Sequence, residues 1–382
     1  MERLQRGGVW LHLVGWERRH VSVWATLLFA LAALARPEYL LLFPLALADQ
    51  SRRRSYQISH QTIVHIVLYC CVLEPWVIFN LWVGGKPLPN TYYAKVGDYG
   101  MIGAVTNLDF TQLIKTVCYY PVVQCQELIR LAAENNLLLA CAAPLGLATM
   151  LGARRKHGVE AMSLLVPLVL ILFPLIRGIV APFKGPLFQH GRYVAHLVPL
   201  LVVVGAIGLR RALDLAPRLQ QAPKTLFLHR SIVVWSLVFV LFAIGVSQYG
   251  RLYGRNVAEI EDMHIDMARW GEANTPSESI IASHDVGALG YFSGRKVVDM
   301  VGLVTPTVLE YLSPGLPADD GVLEYLRDVE PDFVIMMPTW YPGLSKMSRV
   351  FRPEHEEVVK GVRTIAAGDR LVAYRAIWDR KN

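Results

Sequence analysis

Along the chain, apolar residues come in runs divided by basic or Pro/Gly-rich joints. The runs at 21–48, 60–83, 137–151, 161–181, 194–209 and 231–246 approach the ~20 apolar residues a helix needs to cross a bilayer. The pattern predicts a polytopic α-helical membrane bundle. Its first run holds one interruption, Leu34-Ala35-Arg36-Pro37-Glu38-Tyr39-Leu40, where an arginine and a glutamate flank a proline. Charges at membrane depth are costly and usually face a partner, a polar cavity or a substrate.

Two readings of that run stay open. Residues 21–35 and 39–48 form a short hairpin with Arg36 and Glu38 at its outer tip, or 21–48 is one tilted, Pro-kinked helix. The basic clusters favour the hairpin. It sets the N-terminus, Arg52 to Arg54, Arg154-Arg155-Lys156, and the loop holding Arg210, Arg211, Arg218, Lys224 and Arg230 on one face, as the positive-inside bias requires. On that count about seven helices cross the membrane within 21–249, and the N-terminus is cytoplasmic. Residues 1–20 carry Arg3, Arg6, Arg18 and Arg19 among Trp10 and Trp16, and read as a basic interfacial segment. Residues 84–136 make a long outer loop, whose stretch 110–133 has helical spacing suited to the membrane surface.

Beyond 249 the pattern changes. Residues 279–283, 296–300, 333–337 and 371–375 read as short buried strands, and 257–270, 305–312 and 319–328 as helices. That alternation predicts a small α/β domain over 250–382, extracytoplasmic by helix parity.

Composition adds little and excludes one class. The hydrophobic share of 53% agrees with a membrane protein. The net charge of +7 sits in short loops beside apolar runs rather than on a nucleic-acid surface, so a nucleic-acid partner is not expected. Cys70 and Cys71 read as packing residues inside an apolar run. Cys118 and Cys125 share the outer loop, where a disulfide is an option.

Three polar clusters fall on the expected outer face: Arg36 with Glu38, the run Asn90-Thr91-Tyr92-Tyr93-Ala94-Lys95, and the turn His190-Gly191-Arg192-Tyr193. Each has a plain reading alone: an ion pair, loop charges near headgroups, an aromatic belt. Together they offer guanidinium, ammonium, phenol and imidazole groups. Arginine binds phosphate through paired hydrogen bonds and lysine adds a compact charge, while tyrosine suits sugar faces and headgroups. A sugar-bearing lipid phosphate would use them all.

The Leu34-to-Leu42 stretch, the Leu88-Pro89-Asn90-Thr91-Tyr92-Tyr93-Ala94-Lys95 run and the His190-Gly191-Arg192-Tyr193 turn resemble the GT-C class of integral-membrane glycosyltransferases. The nearest likeness is to bacterial arabinofuranosyl- and mannosyltransferase-like members that use polyprenyl-phosphate sugars. The runs Ala282-Ser283-His284-Asp285-Val286-Gly287 and Val298-Asp299-Met300-Val301-Gly302 resemble the outer domain of such proteins. The resemblance implies inverting sugar transfer on the extracytoplasmic face, with a carboxylate as base and basic groups holding the departing polyprenyl phosphate. By position it makes Arg36, Lys95 and Arg192 phosphate-side residues. It gives Asn90, Tyr92, Tyr93, His190 and Tyr193 to the sugar or acceptor, with Glu38 orienting Arg36.

Members of the class carry their catalytic acid in a first outward loop after an initial membrane helix. Ahead of residue 21 this sequence has only Glu2 and Glu17. The expectation is therefore the C-terminal portion of a transferase, its catalytic residue unknown. Asp98 and Asp109 are the outward acids that could substitute. In the outer domain, His284-Asp285 stands at a strand-to-helix turn. Asp285 is expected to cap the next helix and Gly287 to allow close backbone packing, with acceptor recognition by His284, Asp285 and Tyr291 as their functional use.

The sequence thus points to a multi-pass protein of the cytoplasmic membrane that moves a sugar from a polyprenyl-phosphate donor to a cell-envelope glycan. The alternative is a non-catalytic subunit that holds a lipid-linked glycan for a partner enzyme. The expected partners are membrane lipid, the lipid-linked donor, a glycan acceptor and, on the second reading, a partner subunit. No metal ligands are assigned; a divalent cation would be compatible with the donor's phosphate.

Overall fold

The computed structural model describes residues 9–10, 22–53, 60–97, 100–157, 164–181, 190–215, 224–312 and 318–378. The interfacial segment expected over 1–20, apart from residues 9–10, lies outside them, as does Asp98. The protein is mostly helical. Four helices are long and apolar enough to cross a membrane: His60–Gly84, Phe110–Gly152, Ala195–Leu215 and His229–Asn274. Val23–Ala35 and Leu165–Val180 are shorter apolar helices. The chain forms two compact units, Met1–Leu88 with Tyr99–Ser247, and Pro89–Asp98 with Gln248–Asn382.

In the first unit, helix α1 (Val23–Ala35) stops at Arg36, whose backbone is extended (φ −151°, ψ 119°). That is the conformation a following proline imposes. Pro37 then opens a 3₁₀ turn, Pro37–Leu41, which leads into α2 (Leu42–Arg53). The run is therefore broken at Arg36 rather than continuous through a kink. Helices α3 (His60–Gly84), α4 (Tyr120–His157), α5 (Leu165–Val180), α6 (Val198–Leu215) and α7 (Lys224–Ile260) follow.

The stretch 110–133 is helical, as its spacing predicts, and runs straight into α4 through Phe110–Ile114 and the π turn Lys115–Tyr119. α4 is interrupted once, at Asn136 (φ −163°, ψ 99°). The Asn136 side chain stands in for the broken ladder. Its Nδ2 donates to the Val238 carbonyl (2.9 Å) and its Oδ1 accepts from Leu139 N (3.2 Å), which caps the second half of α4.

α4 and α6 meet backbone to backbone. A side chain at Gly208 would strike the Ala142 carbonyl, one at Gly146 the Val204 carbonyl, and one at Gly205 the Leu139 carbonyl. Small residues spaced along two apolar helices let the axes approach this closely. α5 is drawn against the start of α4 in the same way, because a Cβ at Gly178 would lie 2.6 Å from Pro121 Cα. Two cysteine expectations are corrected: Cys118 and Cys125 are free, and Cys70 and Cys71 are exposed on α3 rather than packed.

The second unit holds a five-stranded sheet: β1 (Ile280–Ser283), β2 (Lys296–Asp299), β3 (Phe333–Met336), β4 (Phe351–Val358) and β5 (Arg370–Ala376), in the order β2-β1-β3-β5-β4. β2, β1 and β3 are parallel, and β5 and β4 are antiparallel. Four strands lie where the sequence predicts them; β4 was not foreseen. Alternate residues face opposite ways along a strand, and the core divides accordingly. Ala282, Val334, Met336, Val372 and Tyr374 pack with Val322 and Leu326 of α10 (Ala318–Val329). Ile281, Phe333, Ile335, Leu371 and Ala373 pack with Met263, with Met267 of α8 (Asp266–Asn274) and with Leu289 of α9 (Val286–Phe292). The Glu259 carboxylate, at the end of α7, accepts from the backbone amides of Thr364, Ile365 and Ala366 and so pins that loop.

Replacing Gly208 with leucine should force α4 and α6 apart and lower stability by about 1–3 kcal/mol or more, the usual range for overpacking. Gly152→Leu, where an added Cβ meets nothing within 4 Å, should leave the thermal midpoint of the detergent-solubilised protein unchanged. Equal midpoints for the two variants would refute the backbone contact.

Candidate functional site

The break at Arg36 aims a guanidinium away from α1. Arg36 Nη1 donates to the Arg192 carbonyl (3.3 Å), and Nη2 reaches Glu38 Oε1 (3.4 Å). The Arg192 carbonyl follows a turn in which His190 and Gly191 both have positive φ (48° and 72°). Glycine is required at 191 on two counts. Its backbone is left-handed, and a Cβ there would lie 3.1 Å from Leu131 and 3.2 Å from Glu127 Oε1. The turn leaves Arg192 exposed and buries Tyr193.

Arg177, on α5, completes the group. It is 4% exposed. Its Nη1 donates to the Ala181 carbonyl (2.9 Å), its Cζ stands 4.1 Å from the centroid of the Tyr193 ring, and its Nε has no partner among the described residues. Arg192 Cζ lies 5.0 Å from the same ring, and its Nη2 donates to Tyr193 Oη (3.4 Å). Beneath sits His196, buried and edge-on to Tyr39 (4.9 Å) and Phe173 (4.6 Å). Among the described residues, Arg36 alone of these three arginines has an ion pair, with Glu38. Glu127, which lies against Gly191, is held by Arg130 at 2.6 Å. Of the three only Arg177 is buried, Arg36 being partly and Arg192 well exposed. A buried charge without compensation is strongly unfavourable, so the place beside Arg177 suits an anion that can take paired hydrogen bonds from guanidinium groups.

The structure thus gathers Arg36, Glu38, Arg192 and Tyr193, and His190 shapes the turn that joins them. Asn90, Tyr92, Tyr93 and Lys95 share a short helix, Asn90–Val96, which belongs to the second unit. There burial pushes the Tyr92 phenol up, and its ring is edge-on to Tyr93 at 5.3 Å. Asp109, a candidate substitute base, is engaged as a helix cap: its Oδ1 accepts from Gln112 N (2.9 Å). Arg177 and His196 escaped the sequence reading. Arg177 had a usable signal, being the one charged residue of Leu165–Val180.

A second polar network lies at the carboxyl ends of the parallel strands. His284 follows β1, Asp299 ends β2, and Trp340 and Tyr341 follow β3. The His284 ring lies 4.8 Å from Trp340 and 5.9 Å from Tyr341. Asp285 Oδ2 is 2.8 Å from His264 Nε2, and Asp299 accepts from the amides of Val301 (2.8 Å) and Val304 (2.7 Å). Two expectations fail here. Asp285 stands at the N-cap position of α9, but its side chain makes no cap bond and turns to His264 instead. Gly287 is not at a close approach, since a Cβ there would meet nothing within 4 Å. Tyr291 is exposed, its ring edge-on to Phe292. His264 and Trp340 were missed, the first because a helix of mixed charge reads as a solvated face. Among the described residues no three His, Cys, Asp or Glu side chains are grouped to hold a metal ion.

Burial lowers the His284 imidazole from its ordinary 6.5 to about 4, against the pull of Asp285. The His264 contact holds Asp285 below the usual carboxylate range. Between pH 6.5 and 4 the unfolded chain binds a proton that folded His284 refuses, so this contribution is complete above 6.5 and lost as pH falls to 4. Its size is on the order of 3 kcal/mol. The Asp285 contribution is lost only at still lower pH, below its ordinary range. Amide exchange of β1 and β3 should therefore quicken between pH 7 and 5 after correction for intrinsic rates, and His284→Gln should flatten that dependence.

The family model described as Domain of unknown function (DUF8728) matches residues 255–375. No curated protein and no solved structure matches the chain. The similarity to that family covers the sheet and the His264–Asp285 network, and leaves the arginine cluster outside it.

Proposed function

We propose that the protein is a membrane glycosyltransferase of GT-C type, or a portion of one, that takes a polyprenyl-phosphate sugar at the arginine cluster. The sugar would pass to a cell-envelope glycan or lipid acceptor on the extracytoplasmic face of the cytoplasmic membrane. On this reading the helices of the first unit cross the membrane about seven times from a cytoplasmic N-terminus, and the α/β unit lies outside. The apolar side chains that α3 leaves exposed, among them Ile63, Val67, Ile78, Phe79 and Trp82, support a lipid surrounding.

One observation carries the reading: Arg36, Arg177 and Arg192 converge among apolar helices, and among the described residues only Arg36 of the three is ion-paired, to Glu38. A phosphate satisfies the excess charge, and a lipid tail on that phosphate suits the surrounding apolar surface. Arginine rather than lysine at all three positions favours planar, paired recognition. A second reading, a subunit that binds the lipid-linked glycan without transferring its sugar, also has a specific support. Both carboxylates described around the cluster are ion-paired, Glu38 to Arg36 and Glu127 to Arg130, so neither is free to serve as a base.

Arg36→Ala and Arg192→Ala should each weaken binding of polyprenyl phosphate to the protein in lipid nanodiscs by about 10- to 100-fold, the worth of a charged hydrogen bond of ~1.5–3 kcal/mol. Glu38→Gln should leave affinity unchanged or raise it. Unchanged affinity in both arginine variants would refute the phosphate assignment. If binding holds, release of polyprenyl phosphate from a polyprenyl-phosphate sugar in the presence of acceptor glycan separates the transferase from the binding subunit.

A further inference from the structure

We infer that the outward face of α3, centred on Glu74, docks a transmembrane helix of another membrane protein that carries a basic residue halfway along its length. This docking requires α3 to cross the bilayer and does not depend on what the arginine cluster holds.

Packing sets the direction in which Glu74 faces. α3 is held to its own unit through His65, whose Nδ1 lies 2.9 Å from Thr26 Oγ1, and through Tyr69, whose ring stacks on Phe43 at 4.2 Å. Both are buried. Ile63, Val67, Cys70, Glu74, Ile78 and Leu81 stand on the opposite side of the helix and are exposed. Their spacing of three and four residues makes a single stripe at 3.6 residues per turn. Among the described residues Glu74 has neither an ion pair nor a side-chain hydrogen bond.

Depth makes that position costly. The apolar part of α3, residues 63–83, is ~31 Å long at ~1.5 Å per residue, which matches a hydrocarbon core of about 30 Å. Glu74 falls ~16 Å from one end and ~14 Å from the other, at the middle of the membrane. Acyl chains there offer it neither charge nor a donor. Pro75, inside the helix, adds to the demand. It has no N–H, so the Cys71 carbonyl lacks its usual helix donor. Cys71 and Pro75 are exposed on the same side as Glu74. The face therefore presents two acceptors within an apolar stripe.

Charge decides the occupant. A guanidinium or ammonium group supplies what is missing, an opposite charge with donors only. A second copy seated on the same stripe would bring carboxyl against carboxyl, and α3 carries no lysine or arginine to offset them. A lipid holds its charge at the surface, half a bilayer away. The partner is therefore a different protein, and the apolar residues above and below Glu74 give its helix a packing surface.

The test uses the full chain in lipid vesicles with a dye-labelled synthetic transmembrane helix of leucine and alanine that carries one arginine at its centre. Association is read by energy transfer to a fluorophore at the chain's N-terminus. The arginine helix should associate about 5- to 30-fold more tightly than one with leucine in that place, the range of hydrogen bonds between membrane helices. Glu74→Leu should remove the preference, Glu74→Asp should retain most of it, and moving the arginine two turns from the centre should weaken it. Because Glu74 is exposed and unpaired, Glu74→Leu should keep the wild-type thermal midpoint and the wild-type affinity for polyprenyl phosphate. The inference is overturned if the arginine and leucine helices associate equally, or if Glu74→Leu takes the arginine helix as wild type does. It is equally overturned if aspartate fails to retain the preference, or if the leucine variant melts earlier, which would give Glu74 to the fold. A dimer of this chain in native mass spectrometry that Glu74→Leu abolishes would also overturn it.

Discussion

A guanidinium group buried without an ion pair is costly to hold, and among the described residues Arg177 is such a group. The arrangement of the first unit follows from this. Arg36 is committed to the Arg192 carbonyl and to Glu38, Arg177 to the Ala181 carbonyl and the Tyr193 ring, and Arg192 to the same phenol. The Glu38 contact offsets one of these charges, and the others are spread over carbonyl dipoles and a π face. Cation–π contacts are worth about 0.5–2 kcal/mol, well below what an ionised partner supplies at short range.

That organisation depends on close backbone geometry. Arg177 lies beside Gly178, the residue that lets α5 settle against Pro121, and the turn at Gly191 rests on Leu131 and Glu127 of α4. Gly178 and Gly191, which permit these two approaches, thus help to fix where the arginines stand. In the second unit the sheet has the equivalent role. Three parallel strands deliver His284, Asp299 and Trp340 to one edge, although 56 residues separate the first from the last.

How much could be read beforehand varies with the physics of each element. Long apolar runs, strands buried on both faces and the Arg36 break were legible, because burial leaves a period or a run in the sequence. β4 was not. Only Phe351 of its eight residues is buried, so neither alternation nor an apolar run marks it, and the strand exists because β5 supplies hydrogen-bond partners. The site was legible where a charge interrupts a hydrophobic pattern, as at Arg36. Arg177 offered the same signal and was overlooked. The positions of His264 and Asp285 could not be read, because a contact across twenty residues of intervening structure follows from packing and not from spacing. The capping role expected for Asp285 failed for the same reason: a nearby imidazole outcompeted the helix amides.

β4 has one further consequence. It ends the sheet, so half of its backbone groups face outward like the cut edge of a fabric. Along that margin stand Arg352, Glu354, Glu356 and Glu357, with Pro353 removing a donor at the bulge. Charged side chains, a proline and a bulge on an edge strand discourage edge-to-edge growth. The same features that hid this strand from the sequence pattern keep the margin from serving as a template for a neighbouring chain.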